Sequence, residues 1–251
     1  MLNIVIPMAG AGSRFAKAGY LDPKPLIKVH GVPMVNIVIN NLKPKQPHKF
    51  IFIIQKEHEQ RYQLSALLKS WEPTCEIVTT DGLTEGAACT VLLAKEYINS
   101  DDPLMIANSD QYVDCLIDDY LNSMITNHYD GLIMTMKADD AKWSFVGFDA
   151  EGKVNKVVEK EVISDEATVG IYNFRKGREF VKCAEEMINK NERVNNEFYV
   201  APVYNYLIEG GATIGVFNVG SEADGMYGLG IPADLDLFKS LELSKKATAG
   251  V

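Results

Sequence analysis

The chain has no surplus of basic residues: 25 lysines and arginines stand against 34 aspartates and glutamates, a formal net charge of -9. Nucleic acid polymers are held mainly through clustered cations, so DNA and RNA are excluded as partners, and any lysine or arginine that matters must act locally. No apolar run approaches the roughly twenty residues needed to cross a bilayer. Met1-Leu2-Asn3-Ile4 offers no positively charged leader, so the expectation is a cytoplasmic protein without membrane contact. Cys75, Cys89, Cys115 and Cys183 show no CxxC spacing, which argues against zinc and disulfide frameworks and predicts buried, reduced thiols. His30, His48, His58 and His128 form no HxxxH or HExxH set, so histidine-based catalysis is not indicated. There is also no Ser/Gly/Pro-rich linker, which predicts a single domain over residues 1–246, with halves 1–129 and 130–246 and a loose tail at 247–251.

What the sequence does have is a strand-helix alternation. Leu2-Asn3-Ile4-Val5-Ile6 and Phe50-Ile51-Phe52-Ile53-Ile54 are apolar runs too short for helices and too continuous for a wet face, which predicts central strands of a parallel sheet. Helices are expected over 33–43, 57–71 and 87–98, with further strands at 76–79 and 103–107. That order predicts right-handed βαβ units and a doubly wound, Rossmann-like α/β sheet with ligands at the carboxyl ends of its strands. From Asp130 the pattern changes: strands at 131–136, 144–149, 153–159 and 167–174, two of them joined by Ala150-Glu151-Gly152, predict antiparallel strands added to the parallel core. Helices are expected at 176–189 and 232–246.

The first strand empties into Met8-Ala9-Gly10-Ala11-Gly12-Ser13-Arg14. Gly10 and Gly12 carry no Cβ and can take positive φ, so the N–H groups of residues 9–13 can turn inward around an anion. Arg14 adds one cation, and Lys24, stiffened between Pro23 and Pro25, adds a second. Together these are the parts of a triphosphate cradle. The P-loop pattern GxxxxGK[ST] is absent, and the dinucleotide pattern GxGxxG fails because Phe15 stands at its third glycine. A bare strand-to-helix turn would not need Pro-Lys-Pro some ten residues later.

Gly-x-Gly-Ser-Arg-Phe followed by Pro-Lys-Pro-Leu-Ile resembles the opening signature of the sugar-nucleotide pyrophosphorylase superfamily of nucleotidyltransferases. That superfamily includes sugar-1-phosphate thymidylyl- and cytidylyltransferases and phosphocholine cytidylyltransferases. The resemblance implies a GT-A-like fold with an acceptor-binding subregion from about residue 130, and transfer of a nucleotide from an NTP to a phosphorylated small molecule such as a sugar 1-phosphate, phosphocholine or phosphoglutamine. Pyrophosphate would be released, in the service of surface polysaccharide synthesis. CTP is favoured over dTTP and UTP because members with acceptors other than hexoses often use it.

Later segments extend the resemblance. Asp110, at the end of the strand 103–107, is well placed to hold Mg²⁺ and matches the family's metal-binding aspartate. Thr84 and Gly86 match a turn beside the nucleotide base; the alternative for Thr84 is a helix cap. Lys160 of Glu159-Lys160 matches a lysine that binds the acceptor phosphate, and Glu197 of Asn195-Asn196-Glu197-Phe198-Tyr199 matches a glutamate that contacts acceptor hydroxyls, with helix capping by Asn195 or Asn196 as the alternative. Two positions depart from the pattern. Gly228 stands where the family has a second metal carboxylate, leaving Asp224 or Glu197 as candidate substitutes. Trp143-Ser144 replaces Tyr-Gly of the hexose enzymes, adding bulk at Ser144 where a hexose would lie. A glycosyltransferase on a similar core would carry DxD, whereas this chain has Ser109-Asp110-Gln111. A nucleotide-binding regulatory module without chemistry stays open as the non-enzymatic alternative, and so does homo-oligomerisation.

Overall fold

A computed structural model of the chain describes residues 1–249. Its first half lays down β1 (Leu2–Pro7), α1 (Ser13–Lys17), the two-residue strands β2 (Lys28–Val29) and β3 (Val32–Pro33), α2 (Met34–Leu42), β4 (His48–Gln55), α3 (Lys56–Tyr62), α4 (Leu64–Trp71), β5 (Glu76–Thr80), α5 (Ala87–Leu92), α6 (Lys95–Ile98), β6 (Leu104–Ala107), β7 (Gln111–Val113) and α7 (Ile117–Thr126). The second half adds β8 (Gly131–Lys137), β9 (Ser144–Phe148), β10 (Val154–Glu159), β11 (Glu166–Phe174), α8 (Gly177–Asn189), α9 (Val203–Glu209), β12 (Ile214–Glu222), β13 (Gly225–Gly228), α10 (Pro232–Ser240) and α11 (Glu242–Thr248).

One 11-stranded sheet runs β5-β4-β1-β6-β11-β8-β12-β13-β7, with β9 paired to both β10 and β11. The strands β5, β4, β1 and β6 are mutually parallel, and β11 then pairs antiparallel with both β6 and β8. This is the expected parallel core with antiparallel additions, and the sheet continues without interruption across residue 130. Its faces follow from the period of two along each strand. Ile4 and Ile6 of β1 and Phe50, Phe52 and Ile54 of β4 join the core covered by α2, α4 and α7, while Val5, Ile51 and Ile53 join the core covered by α5, α8 and α9. Both faces are dry, which is why these strands are continuously apolar. No helix among the described residues is long and apolar enough to cross a membrane.

A third, smaller core bears on the site. Phe15 of α1 packs with Ile27, Val29, Met34, Ile37, Leu229, Leu235 and Phe238, so the start of the chain is bound to its last quarter. Phe15 is almost fully buried, while Arg14, its neighbour in the chain, is exposed.

Several expected elements are divided. Gln63, left-handed at φ 52, separates α3 from α4 where one helix is expected over 57–71. The expected helix 87–98 breaks into α5 and α6, and the helix expected over 232–246 is interrupted by extended Leu241. The tail expected from 247 also differs: Ala247 and Thr248 belong to α11, and Ala247 packs on the third core. Residues 250 and 251 lie outside the described residues. β7, β12 and β13 have no counterpart in the sequence-based assignment; β12 is fully buried only at its first two residues, and the other two are three and four residues long.

Candidate active site

The loop after β1 is held open by its neighbours. Gln55, at the end of β4, donates its side-chain N–H to the Ala9 carbonyl at 2.6 Å, and the Met8 N–H bonds the Ile53 carbonyl at 2.9 Å. A Cβ on Gly10 would meet nothing within 4 Å, so this part of the loop faces free space. Gly12 is left-handed (φ 59) and starts α1, and its Cα turns toward Lys24, whose Cβ lies 3.5 Å from where a Gly12 Cβ would be. Ala11, Ser13 and Arg14 are exposed and Ala9 is buried.

Lys24 is carried by a 3₁₀ turn anchored by buried Pro25, and its Nζ lies 2.9 Å from Oδ2 of Asp110, 86 residues away. Asp110 follows β6, and its backbone carbonyl accepts the Leu229 N–H at 2.8 Å. A Cβ on Gly230 would come within 2.5 Å of Asp110 Oδ2, so the carboxylate rests against backbone that only glycine leaves clear. At Gly228 the same construction meets the carboxylate of Asp234, with a Cβ 3.0 Å from its Oδ2. Asp234 occupies the first turn of α10, and its carboxyl is held above the usual range by burial first, then by Glu222, with Asp110 also raising it and Lys142 and Arg14 opposing. Asp224 lies elsewhere. It sits in the exposed turn before β13, with its carbonyl accepting the Ser221 N–H, and is separated from Gly228 by the four-residue length of that strand, about 13 Å. The carboxylate facing the Asp110 region is therefore Asp234, not Asp224.

Across the rim, a cavity of about 260 Å³ is lined by Asn108, Trp143, Ser144, Glu159, Lys160 and Tyr199, among others. Ser144 donates its hydroxyl to Glu159, whose side chain is only 4% exposed. Burial pushes the Glu159 carboxyl up; the Ser144 hydroxyl and the Lys160 ammonium, 3.6 Å away, oppose this without prevailing. Lys160 is left-handed (φ 59) and its Nζ stands 5.4 Å from the centre of the Tyr199 ring. Burial and Glu197 together push the Tyr199 hydroxyl up to about 12. Glu197 itself is exposed and lines the neighbouring groove, with Glu159 and Tyr199, and not the cavity.

The residues 4–204 match the model of the family described as nucleotidyl transferase. The chain belongs to the nucleotidyl transferase family. Among solved structures it is similar to a nucleoside-diphosphate-sugar pyrophosphorylase from Vibrio cholerae RC9, at 27% identity and TM-score 0.79 over 95% of this chain and 100% of the other. The inositol-1-phosphate CTP transferase from T. maritima shares the fold at 16% identity, TM-score 0.76, covering 99% and 97% of the two chains. A putative glucose-1-phosphate thymidylyltransferase from Bacillus anthracis, determined in complex with a sucrose, does so at 17%, TM-score 0.75, covering 100% and 96%. Among curated proteins the chain is 26% identical over 253 residues to the bifunctional protein GlmU of Clostridioides difficile (strain 630), across 96% of this chain and 51% of that one. The chain thus spans about half the length of that relative.

Two segments distant in the chain, 84–88 and 193–198, are clamped together beside the cavity. Phe198 donates its N–H to the Glu85 carbonyl at 2.8 Å and accepts the Ala88 N–H at 3.0 Å. Arg193 pairs with Glu85 and lies over the Phe198 ring at 4.1 Å. A Cβ on Gly86 would fall 2.5 Å from the Phe198 N and O, and Gly86 has φ 133, so glycine is required there by the chain crossing over it. The alternative reading of Thr84 as a helix cap does not hold: its hydroxyl bonds the Gly86 carbonyl at 2.9 Å and contacts the Thr90 hydroxyl at 2.6 Å, and Gly86 occupies the N-cap position of α5. Asn195 and Asn196 cap no helix either. Both are left-handed (φ 49 and 65) in the turn closed by Val194 and Glu197, and the next helix begins at Val203. Asp234 and the Arg193–Glu85 pair escaped the sequence analysis. An acid in a helix's first turn has a local explanation in the helix dipole, and an arginine paired with a glutamate 108 positions earlier leaves no spacing to detect.

Proposed function

We propose that this nucleotidyl transferase joins an NTP, with CTP favoured, to a phosphorylated small molecule and releases pyrophosphate. The observation that carries the reading is the 2.9 Å approach of Lys24, one cation of the expected cradle, to the strand-end carboxylate of Asp110. The T. maritima neighbour is by name an inositol-1-phosphate CTP transferase, so the fold serves a pyrimidine nucleotide and a non-hexose acceptor in that protein. The bulk of Trp143 and Ser144 on the cavity wall points the same way.

The chemistry follows from charge and alignment. A phosphate monoester is already anionic at neutral pH, so an oxygen of the acceptor phosphate attacks the α-phosphorus directly. The bond from that phosphorus to the bridging oxygen breaks on the opposite side, and its electron pair leaves with pyrophosphate. No strong base is needed, and the protein's work is positioning and neutralising developing negative charge. Arg14 and the loop amides of residues 9–13 hold the β- and γ-phosphates, with the Thr84–Gly86 turn beside the base. Lys24 serves the α-phosphate and Lys160 the incoming phosphate.

The donor set suits a hard divalent cation. Asp110 and Asp234 each present a carboxylate against a glycine whose missing Cβ leaves it room, and carboxylate oxygens with polyphosphate and water are the usual company of Mg²⁺. Among the described residues no three His, Cys, Asp or Glu side chains converge for a metal, so the remaining positions fall to phosphate and water. When bound, Mg²⁺ supplies neutralisation of the polyphosphate charge. Lys24, now on Asp110, would then be free to turn to the α-phosphate.

A matrix of CTP, dTTP, UTP, ATP and GTP against a library of phosphorylated metabolites, read by pyrophosphate release, tests the proposal. Release with one acceptor class and its absence without acceptor is the expected result. Tight NTP binding with no release under any acceptor would overturn it.

A further inference from the structure

Two polar side chains on the wall of the 260 Å³ cavity have no part in the transfer described so far, Lys142 and Asn108. Lys142 is engaged, its Nζ bonded to both carboxylate oxygens of Glu222 at 2.9 and 3.1 Å. Asn108 is exposed, and among the described residues its side-chain amide takes no hydrogen-bond partner.

The amide is nevertheless given a fixed place. Asn108 follows directly on β6, and the period of two along that strand sets it on the face of Leu104 and Ile106, toward the start of α5 at Ala87. Its backbone N–H bonds the Gly170 carbonyl at 3.0 Å. Gly170 is left-handed (φ 81) and lies in the stretch where the pairing of β11 with β8 shifts register. A Cβ on Gly170 would come 2.1 Å from Asn108 Nδ2 and 2.7 Å from its Cγ, so the amide rests against bare backbone in space that any side chain would fill.

The two halves of the chain meet at this wall. Ala87 and Asn108 come from the first half, Asn108 two residues ahead of Asp110, and Lys160 comes from the second. If Lys24 and Asp110 attend the α-phosphate and Lys160 the incoming phosphate, the reacting phosphorus lies between them, on the side where Asn108 stands. Lys24, Lys142 and Lys160 each have a carboxylate within reach, at 2.9, 2.9 and 3.6 Å. The Asn108 amide has no partner to give up.

We propose that Asn108 is a further catalytic residue of the nucleotidyl transfer, its side-chain N–H donating to a non-bridging oxygen of the α-phosphoryl group while the bond from the acceptor oxygen forms and the bond to pyrophosphate breaks. This rests on the transfer proposed above. A neutral donor holds the negative charge on that oxygen without being drawn into an ion pair with the neighbouring carboxylates.

The test is steady-state pyrophosphate release with the NTP and acceptor that the parent chain turns over. Asn108→Ala is expected to lower kcat by about 10²-fold, the scale of removing one such donor, with both KM values and the melting temperature near those of the parent. Asn108→Asp keeps the shape but replaces the donor by a negative charge, and should lose at least as much. Gly170→Ala displaces the amide from the other side; it should lower kcat in the parent yet add nothing in Asn108→Ala, because both substitutions remove one interaction. Full turnover in Asn108→Ala, a loss carried by KM or by melting temperature alone, or additive losses in the double variant would each overturn the proposal while leaving the transfer itself standing. A parent chain that releases pyrophosphate with no combination of NTP and acceptor would overturn both.

Discussion

Around the phosphate loop the polar side chains stand partly in water: Lys24 and Asp110 keep 22% and 25% of their side-chain surface, and Arg14 is exposed. In the cavity beside Lys160, Glu159 keeps 4%, is bonded by Ser144 and is flanked by aromatic rings. The first region is a charged shelf whose groups gain strength when a ligand excludes water. The second is already desolvated, so its polar groups are positioned before anything binds. A polyphosphate brings charge enough to organise an open shelf, whereas discrimination among small acceptors needs a preformed pocket with satisfied polar groups.

The largest expected effect lies on the shelf. Lys24→Ala and Asp110→Asn should each lower kcat by at least ~10²-fold, the order of removing one electrostatic element, with an unchanged circular dichroism spectrum. Full turnover in both would place the chemistry elsewhere. The clamp comes next, because it joins the 84–88 turn to the 193–198 segment, and both border the cavity. Gly86→Ala forces a side chain onto the Phe198 backbone at φ 133 and should cost about 1–3 kcal/mol in denaturant unfolding, with KM rising for both substrates together. A rise confined to one substrate would show that the two regions act independently.

A smaller effect separates two carboxylates. With CTP present, Asp234→Asn should weaken Mn²⁺ binding, followed by electron paramagnetic resonance, by about 10-fold, the lower scale for disturbing a metal site, and Asp224→Asn should leave it unchanged. The reverse pattern would return the second carboxylate to Asp224.

The smallest effect belongs to the cavity and is one of pH. Burial raises the Glu159 carboxyl above its ordinary 4.5 in the folded chain. The folded state therefore binds more protons than the unfolded state between the ordinary and raised values, and stability from this group falls as pH climbs through that window, then levels off. Glu159→Gln should remove that decline, so the difference in melting temperature between variant and parent should grow from pH 4.5 upward. A constant difference would mean that the carboxyl is not perturbed by folding.

The shelf was far more legible in the sequence than the cavity. Residues 9–14 and Lys24 lie within sixteen positions, and glycine and proline state their backbone purpose locally. Asp110 could be placed because a parallel strand's end is a known kind of location, so the wager that it meets Lys24 could be made from topology. The cavity depends on contacts with no local signature. Gly86 could be singled out as a turn glycine, but the crossing Phe198 backbone that requires it comes from a segment over a hundred residues on. The paired asparagines at 195 and 196 have two ordinary uses, as helix caps and as left-handed turn residues, and propensity does not choose between them. Gln63 and Leu241, which break expected helices, are not helix breakers by type, so only packing could divide those segments.

The sequence by itself determined the strand-helix alternation, the glycine loop followed by two cations, and the acidic net charge, because each is set by neighbours in the chain or by composition. Only the tertiary structure decided that Asp234 stands beside Gly228 and that Arg193 and Phe198 close over the 84–86 turn. These are meetings of distant segments, and the free energy that selects them comes from burying apolar surface. That driving force is non-directional and specifies no partner until the whole core has packed.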